Sequence, residues 1–156
     1  PQETQPQETQ PQETQPQEES KPVKADSSFN TEVLRLVNEH RKANSTAENP
    51  IPEVTNHAKA SDAAYIRAVE ITDKFSHTRP NGTEGFSALD EQGVQVQTAG
   101  ENIAYGHRTP EEVVTAWMNS TGHRANILNP AFKQLGVGVV YKDGLYYWVQ
   151  MFVTTY

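Results

Sequence analysis

The sequence predicts an α+β domain in which helices cover a central antiparallel sheet, and two patterns in the chain carry that prediction. Apolar residues recur at helical spacing in three segments between residues 28 and 122. From residue 135 onward, apolar and polar residues instead alternate on both sides of a Lys142-Asp143-Gly144 turn, as they do in a β-hairpin. Helices followed by paired strands are typical of a sheet of three or four strands with helices packed on it.

The first 26 residues have a different composition, and we predict that they form a disordered Pro/Gln/Glu repeat tether. The sequence PQETQ occurs three times in residues 1–15, PQEES follows it, and no aromatic residue precedes Phe29. A segment with so little apolar surface cannot offset the entropy that ordering costs, and regularly spaced prolines favour extended conformations. The tether, residues 1–26, should therefore contribute little to stability, and residues 27–156 should form a single domain.

Charge and composition exclude several classes of protein. The chain has 20 acidic and 13 basic residues, and five of the acidic ones lie in the first twenty positions, so the domain itself is nearly neutral. Without a cluster of basic residues, we expect no nucleic-acid partner. The absence of cysteine excludes disulfides and thiolate metal sites, and no apolar run reaches the roughly 18 residues of a transmembrane segment. The chain begins at Pro1 and not at Met, which is compatible with a secretion signal upstream.

The first two helices are predicted from apolar periodicity and from capping residues. The first should begin at a cap on Ser28 or Asn30 and end near Ala43, and its buried stripe is formed by Val33, Leu36, Val37 and His40. The second should run from about Val54 to Lys74. Its inward face carries mostly small residues, which indicates close packing against a neighbour: Ala58, Ser61, Tyr65, Ala68 and Val69.

The third helix follows a loop over residues 75–85 and has a clear start signal. Thr109 is an N-cap, Pro110 occupies the first helical position, and Glu112 completes a capping box. The glutamates of the first turn are therefore expected to serve the helix start and not catalysis. Gly122 is predicted to end the helix, and its buried stripe consists of Val113, Ala116 and Trp117.

The C-terminal strands are predicted over residues 135–141 and 145–153. The period of two places alternate residues of the second strand on one face of the sheet. That face consists of Tyr146, Trp148, Gln150 and Phe152.

Three polar residues at the edges of predicted elements are candidates for a functional site: His77, Glu101 and His123. Functional groups concentrate at such edges because the scaffold fixes them while the loop exposes them. Two imidazoles and a carboxylate can bind zinc with coordination positions left for water, or they can transfer protons near neutral pH. The same residues can equally lock loops through hydrogen bonds, so the pattern alone leaves these alternatives open.

The remaining histidines are predicted to have no functional role. His40 and His57 lie on predicted helices, and His107, just before an N-cap, is expected to face solvent. Ser120 lies three residues before His123, as in a nucleophile–base pair. The chain has no nucleophile-elbow or oxyanion motif, however, so such a pair is not favoured.

Four motifs, in family order and with family-like spacing, carry a resemblance to a known family: FSHTRPNG (75–82), AGENIAYG (99–106), TPEEVVTAWMNSTGHRANILNP (109–130) and LGVGVVYKDGLYYWVQMF (135–152). They resemble a bacterial CAP domain, the superfamily of cysteine-rich secretory, antigen-five and pathogenesis-related-one proteins, also called the SCP domain. The resemblance covers about residues 29–156. It implies a three-layer α–β–α sandwich with a central antiparallel sheet, in a secreted or cell-surface protein that is often held near the cell wall.

The resemblance also implies a cleft lined by two histidines and two acidic residues, with divalent metal at the histidines in some members. His77, Glu101 and His123 match three of these positions. Ser120 stands at the fourth, where many eukaryotic members have an acidic residue, and Glu84 is a weaker candidate to supply the carboxylate. We therefore expect at most weak binding of zinc or another divalent metal to His77 and His123, and no required cofactor. Further matches to the family pattern are expected to be polar residues that support the cleft or fix loops: Arg124, Asn126 and Gln150.

These observations favour a monomeric, extracellular or cell-wall-associated protein whose cleft binds a partner without turnover. The partner would be a cell-wall component, a lipid or a host molecule, and no catalytic residue is assigned. One alternative is a metal-dependent hydrolase acting on peptide or cell-wall polymer, which Ser120 disfavours because a general-base candidate is missing. A lipid- or sterol-binding protein is the other alternative, and it would require an apolar groove between helices.

Overall fold

The computed structural model describes residues 20–156, which form one mixed sheet with helices on both of its faces. The predicted α+β class and the three-layer α–β–α sandwich are confirmed. In chain order the elements are β1 (Val23–Lys24), α1 (Ser27–Asn44), β2 (Thr55–Asn56), α2 (Ala58–Ile71), α3 (Ser87–Glu91), β3 (Val96–Tyr105), α4 (Pro110–Met118), α5 (Thr121–Leu128), β4 (Gln134–Lys142) and β5 (Leu145–Thr155).

The sheet is organised around the C-terminal hairpin. Its strand order is β1-β4-β5-β3 with every one of these pairs antiparallel, and the two-residue strand β2 adds to β4 in parallel. Asp143 and Gly144 connect β4 to β5 with φ angles of 50° and 84°. Positive φ at both central residues is what a two-residue hairpin turn requires, so the predicted hairpin is confirmed.

Two hydrophobic cores lie on opposite faces of the sheet. Alternation along β5 directs Trp148 and Phe152 to the core beneath α1, α4 and α5, and Val149 and Met151 to the core beneath α2 and α3. Trp117 belongs to the first core, where its indole N–H donates to the carbonyl of Ile103 at 3.3 Å. The predicted face of β5 is therefore confirmed as the inner face toward α1 and α4.

Helix α2 packs directly on the backbone of β4. A Cβ atom at Gly136 would lie 2.2 Å from the carbonyl carbon of Ala60, and one at Gly138 would lie 2.3 Å from that of Ala64. Close packing of this helix is as predicted, and the helix begins at Ala58 and not at Val54. The predicted face is only partly correct, because Ala68 is buried and Tyr65 and Val69 pack against the core, whereas Ala58 is exposed. The buried residues are Ala60, Ala63, Ala64, Arg67, Ala68 and Ile71.

The start of α1 and the end of α4 differ from the prediction. Asp26 caps α1 by accepting from the N–H of Ser28, whereas Asn30 donates from its amide to the carbonyl of Val137. Thr109 caps α4 as predicted, but Gly122 does not end that helix. The chain leaves α4 after Met118 and starts the unpredicted helix α5, which contains Gly122 and His123; helix α3 was also missed.

The N-terminal end of the domain lies earlier than predicted. Residues 1–19 of the predicted tether lie outside the described residues, but its last residues belong to the fold. Val23 and Lys24 pair with β4, Ala25 donates its N–H to the carbonyl of Val139, and Asp26 caps α1. Apolar content does not reveal such a segment, because an edge strand is held by backbone hydrogen bonds.

Two truncations should locate this boundary. Removing residues 1–22 should change the free energy of unfolding by less than about 0.5 kcal/mol, since it spares β1 and the α1 cap. Removing residues 1–26 should cost roughly 1–2 kcal/mol, because the Asp26 cap and the β1–β4 pairing are both lost. Urea denaturation of the two truncated proteins measures the difference, and equal stabilities would show that β1 contributes nothing to the fold.

Candidate functional site

The carboxylate of Glu101 is the centre of a polar cluster between α2 and the sheet. Glu101 lies in β3, and its side chain is only 2% exposed. Arg67 from α2, itself fully buried, donates from Nε to Oε2 at 2.8 Å and from Nη2 to Oε1 at 3.2 Å. This two-point contact neutralises a charge that would otherwise be costly to bury, and it fixes the orientation of the carboxylate.

The remaining donors of Arg67 extend the cluster. Nη1 donates to Glu70 at 2.9 Å, and Nη2 donates to the carbonyl of Ser76 at 2.6 Å. Burial lowers the pKa of Arg67, but the hydrogen bonds and charge of Glu101, followed by those of Glu70, outweigh burial and leave the pKa above its ordinary value. Arg67 therefore stays charged and ties α2, β3 and the loop after α2 to one guanidinium.

A second guanidinium holds the loop that carries His77. Arg79 is buried and donates to Glu70, to Ser87 Oγ and to Glu91, the last two in α3. Burial raises the pKa of Glu70, but hydrogen bonds from Arg79 and then Arg67 outweigh it and hold that pKa below its ordinary value. Arg79 therefore fastens the loop to both α2 and α3 through charged hydrogen bonds.

His77 is placed against Glu101 by this loop. Its Nδ1 lies 2.9 Å from Glu101 Oε1, and its side chain is 62% exposed. An ionised carboxylate only accepts hydrogen bonds, so Nδ1 carries the proton and Nε2 is the nitrogen left for a ligand. The pair thus presents an oriented imidazole at the protein surface.

A cleft of about 410 Å³ opens beside this pair. Gly85 forms part of its wall, and a Cβ atom there would lie 2.6 Å from Glu101 Oε2, so a larger residue would displace the carboxylate. The structure places Glu84 in the same wall, within the loop that also carries His77. The lining residues are His77, Thr78, Glu84, Gly85, Phe86, Ala99, Gly100, Glu101 and Asn126.

His123 lies near His77 but not in the lining of this cleft. Burial, and then the charge of His77, lower the pKa of His123 below 6.5. Its carbonyl accepts a hydrogen bond from the amide of Asn102, which also donates to Gln150. Asn126 donates to the Asn102 side chain and to the carbonyl of Glu101, so this amide network fastens α5 to β3.

The predicted site residues are thus only partly brought together. Within residues 20–156, no group of three or more His, Asp or Glu side chains is arranged to hold a metal ion. Glu101 accepts hydrogen bonds from Arg67 at both oxygens and contacts one of the two histidines, His77, at Oε1. Ser120 precedes α5 at its N-cap position and makes no side-chain capping bond.

Three other polar residues have roles that the sequence did not predict. His57 is not on a helix face but caps α2, where its Nδ1 accepts from the N–H of Ala60. His107 is partly buried with its Nδ1 shielded from solvent, and its carbonyl accepts a hydrogen bond from the indole N–H of Trp148 at 2.9 Å. Arg124 points to Asn44 of α1 at 3.1 Å and not toward the cleft cluster.

The most important residue that sequence reasoning missed is Arg67. The sequence did contain an indication of its role, because Arg67 is a charged residue within a stripe of alanines that packs against the sheet. A charge on a buried stripe requires a partner, and Glu101, already a candidate cleft residue, carries the opposite charge. What the sequence could not supply was the pairing between residues 34 positions apart.

Comparisons of sequence agree with this architecture. The profile of the CAP, or cysteine-rich secretory protein, family matches residues 34–152. The "Uncharacterized protein YkwD" of Bacillus subtilis (strain 168) is 40% identical over 129 residues, which are 81% of this chain and 48% of that protein. The chain therefore spans about half the length of this curated relative.

Solved structures share the fold. An extracellular protein containing a SCP domain from Bacillus anthracis str. Ames matches 80% of this chain and 40% of its own, with 31% identity and a TM-score of 0.71. An outer surface protein from Borrelia burgdorferi matches 86% of this chain and 99% of its own, with 19% identity and a TM-score of 0.75. At 19% identity the second likeness concerns the fold alone.

The Arg67–Glu101 pair should be essential to stability. Arg67→Met would leave a buried carboxylate without its main partner and should cost about 3–5 kcal/mol. The double variant Arg67→Met, Glu101→Gln should recover a large part of that loss, because no unpaired charge remains. Urea denaturation of the single and double variants measures the coupling. Additive losses would mean that the two side chains do not depend on each other.

The two causes of the lowered His123 pKa can be separated by NMR titration. In the intact protein His123 should titrate below 6.5, and His77→Asn should raise its pKa toward that value by removing the neighbouring charge. Burial, the larger cause, should still keep it below 6.5. Because the unfolded chain takes up this proton first, stability should fall as pH decreases through about 6.5. His123→Gln should reduce this dependence of the unfolding free energy on pH. An unchanged dependence would show that His123 is not the group responsible for it.

Proposed function

This chain belongs to the CAP family of cysteine-rich secretory proteins, and we propose that its cleft is a binding site without turnover in an extracellular protein. The observation that carries the proposal is the state of Glu101. Its two oxygens accept three hydrogen bonds from Arg67 and His77, and its side chain is buried. A general base or a metal ligand must reach its substrate or ion, whereas this carboxylate is 2% exposed and held against Arg67, where it orients His77.

The geometry of the cleft suits recognition of a polar ligand. His77 and Glu84 are exposed side chains at its wall, and the buried charges behind them are already paired. Fixed polar groups around a preformed cavity give orientation and specificity at low ordering cost. We infer that the ligand is a polar component of the cell wall or cell surface, held by hydrogen bonds to these exposed groups.

An extracellular location is part of the same proposal. The solved protein from Bacillus anthracis is described as extracellular, and the one from Borrelia burgdorferi as an outer surface protein. Within residues 20–156, the structure contains no helix with the length and hydropathy of a membrane span.

A metal-dependent hydrolase is the second candidate, and one observation favours it. His77 is oriented by a carboxylate through Nδ1, and that is the arrangement of histidines that bind metal or transfer protons. In this alternative, His77 and His123 would bind zinc weakly, and Glu84 would supply the carboxylate of the catalytic site. Hydrolysis would then depend on added metal and on His77.

Incubation with purified peptidoglycan sacculi tests both candidates at once. We expect the protein to sediment with the sacculi and to release no soluble sugar or free amine over hours, with or without zinc. The double variant His77→Ala, Glu84→Ala should sediment less, since both side chains are exposed in the cleft. Glu48→Ala, which removes an exposed glutamate from the loop after α1, is the matched control and should sediment normally.

Two results would contradict this proposal. Time-dependent release of product that requires zinc and disappears in His77→Ala would establish the hydrolase. Failure of the intact protein to sediment with sacculi would remove the wall polymer as its ligand.

A further inference from the structure

We propose that three aromatic side chains next to the cleft form a shelf that binds neutral sugar rings of a glycan chain. The shelf consists of Phe75, Tyr105 and Tyr147. This inference rests on the proposed function, because it names the class of ligand that the neighbouring cleft would share.

The three rings are in contact; Phe75 and Tyr105 are exposed, whereas Tyr147 is partly buried against the core. Phe75 and Tyr105 meet edge to face with 4.8 Å between ring centroids, and Tyr105 stacks on Tyr147 at 5.7 Å. Phe75 is 48% exposed and Tyr105 is 51% exposed. Two large aromatic side chains that are exposed side by side leave an apolar surface in water, which a ligand with an apolar face can cover.

The shelf is continuous with the cleft through two segments of chain. Tyr105 and Glu101 lie on the same face of β3 because they are four residues apart, and their Cα atoms are therefore separated by about 13 Å. Phe75 precedes His77 by two residues in the loop that Arg67 and Arg79 hold in place. Ile103 lies between Glu101 and Tyr105 on that face and is buried in the core beneath α2, so a linear ligand would pass from the cleft to the shelf along the loop from His77 to Phe75.

The size of the shelf argues for a small ring and against a protein partner. An aromatic side chain has roughly 150–250 Å² of surface, so the half-exposed rings of Phe75 and Tyr105 present about 200 Å² together. A stable protein–protein interface needs about 800 Å² from each partner. The shelf falls well below that requirement, whereas it is comparable to the face of one or a few linked sugar rings.

The chemistry of the shelf also fits a neutral sugar. One face of a pyranose ring presents polarised C–H groups, which are attracted to the negative face of an aromatic ring, while its hydroxyls stay free for hydrogen bonds. Phe75, Tyr105 and Tyr147 carry no formal charge, and the two tyrosines add hydroxyl groups. The nearest charges along the chain are Asp73 and Lys74, and Asp73 lies 3.4 Å from the ammonium of Lys142.

A soluble tetrasaccharide of N-acetylglucosamine is the probe for this site, with binding measured by calorimetry. The full chain should bind it, and Phe75→Ala, Tyr105→Ala should weaken binding by roughly tenfold or more, as for aromatic residues at the centre of an interface. Tyr105→Phe keeps the ring and should bind nearly as well. Circular dichroism melting curves of each variant confirm that the fold is retained.

Tyr141→Ala is the matched control. Tyr141 is 42% exposed but pairs with Tyr146, which packs with the core beneath α1, so it lies on the opposite face of the sheet. Its removal should leave tetrasaccharide binding within about twofold. A loss equal to that of the shelf variant would overturn the assignment of the site.

The remaining outcomes distinguish this inference from the proposed function. If the protein sediments with sacculi but does not bind the tetrasaccharide, or binds it equally well in the shelf variant, the shelf inference fails and the cleft proposal stands. If the shelf variant instead loses binding to phosphatidylcholine vesicles, or loses self-association in sedimentation velocity, the shelf serves a lipid surface or a second copy and the inference is overturned. Zinc-dependent hydrolysis of sacculi would contradict the proposed function but not the shelf inference. The shelf variant would in that case still show weakened binding of the tetrasaccharide.

Discussion

The buried ion pair between Arg67 and Glu101 connects a helix of one layer to an edge strand of the sheet, and the geometry of the site depends on it. The guanidinium also binds the carbonyl of Ser76, and the carboxylate binds His77, so the loop between α2 and α3 is attached at two successive residues. Neither charge would be tolerated alone at this depth. The histidine is therefore held at the surface by an interaction that lies in the interior.

Helix α2, which carries Arg67, lies close to the sheet because glycines on β4 permit its approach. Gly136 and Gly138 remove the side chains that would separate β4 from the helix, and Ala60 and Ala64 occupy the facing positions. On the opposite face, Arg41 of α1 solves the same problem of a buried cation with neutral partners. It donates to carbonyl oxygens of Pro52, Ile127, Asn129 and Phe132, and burial lowers its pKa. The two arginines each fasten a helix, but only Arg67 is coupled to an exposed functional group.

The cleft and the shelf represent two kinds of recognition on neighbouring parts of one surface. His77 and Glu84 provide polar contacts at the cleft, whereas Phe75, Tyr105 and Tyr147 provide neutral apolar contact beside it. A ligand that needs both kinds of contact must itself be amphipathic along its length, which is a property of glycan chains. In the function we propose, the paired charges behind the cleft hold its wall in place while the ligand meets hydrogen-bonding groups and aromatic rings.

The sequence by itself determined the class of the fold, the hairpin and the start of α4, because each depends on local patterns such as period-two alternation, an Asp-Gly turn and a Thr-Pro-Glu-Glu cap. The family motifs also identified His77, Glu101 and His123 as residues to examine. Only the tertiary structure decided what those residues do. It placed Arg67 against Glu101, left His123 outside the lining of the cleft, and drew Val23 and Lys24 into the sheet. Those outcomes depend on partners distant in sequence. Desolvation and hydrogen bonding select such partners, and no local sequence pattern predicts which residues they bring together.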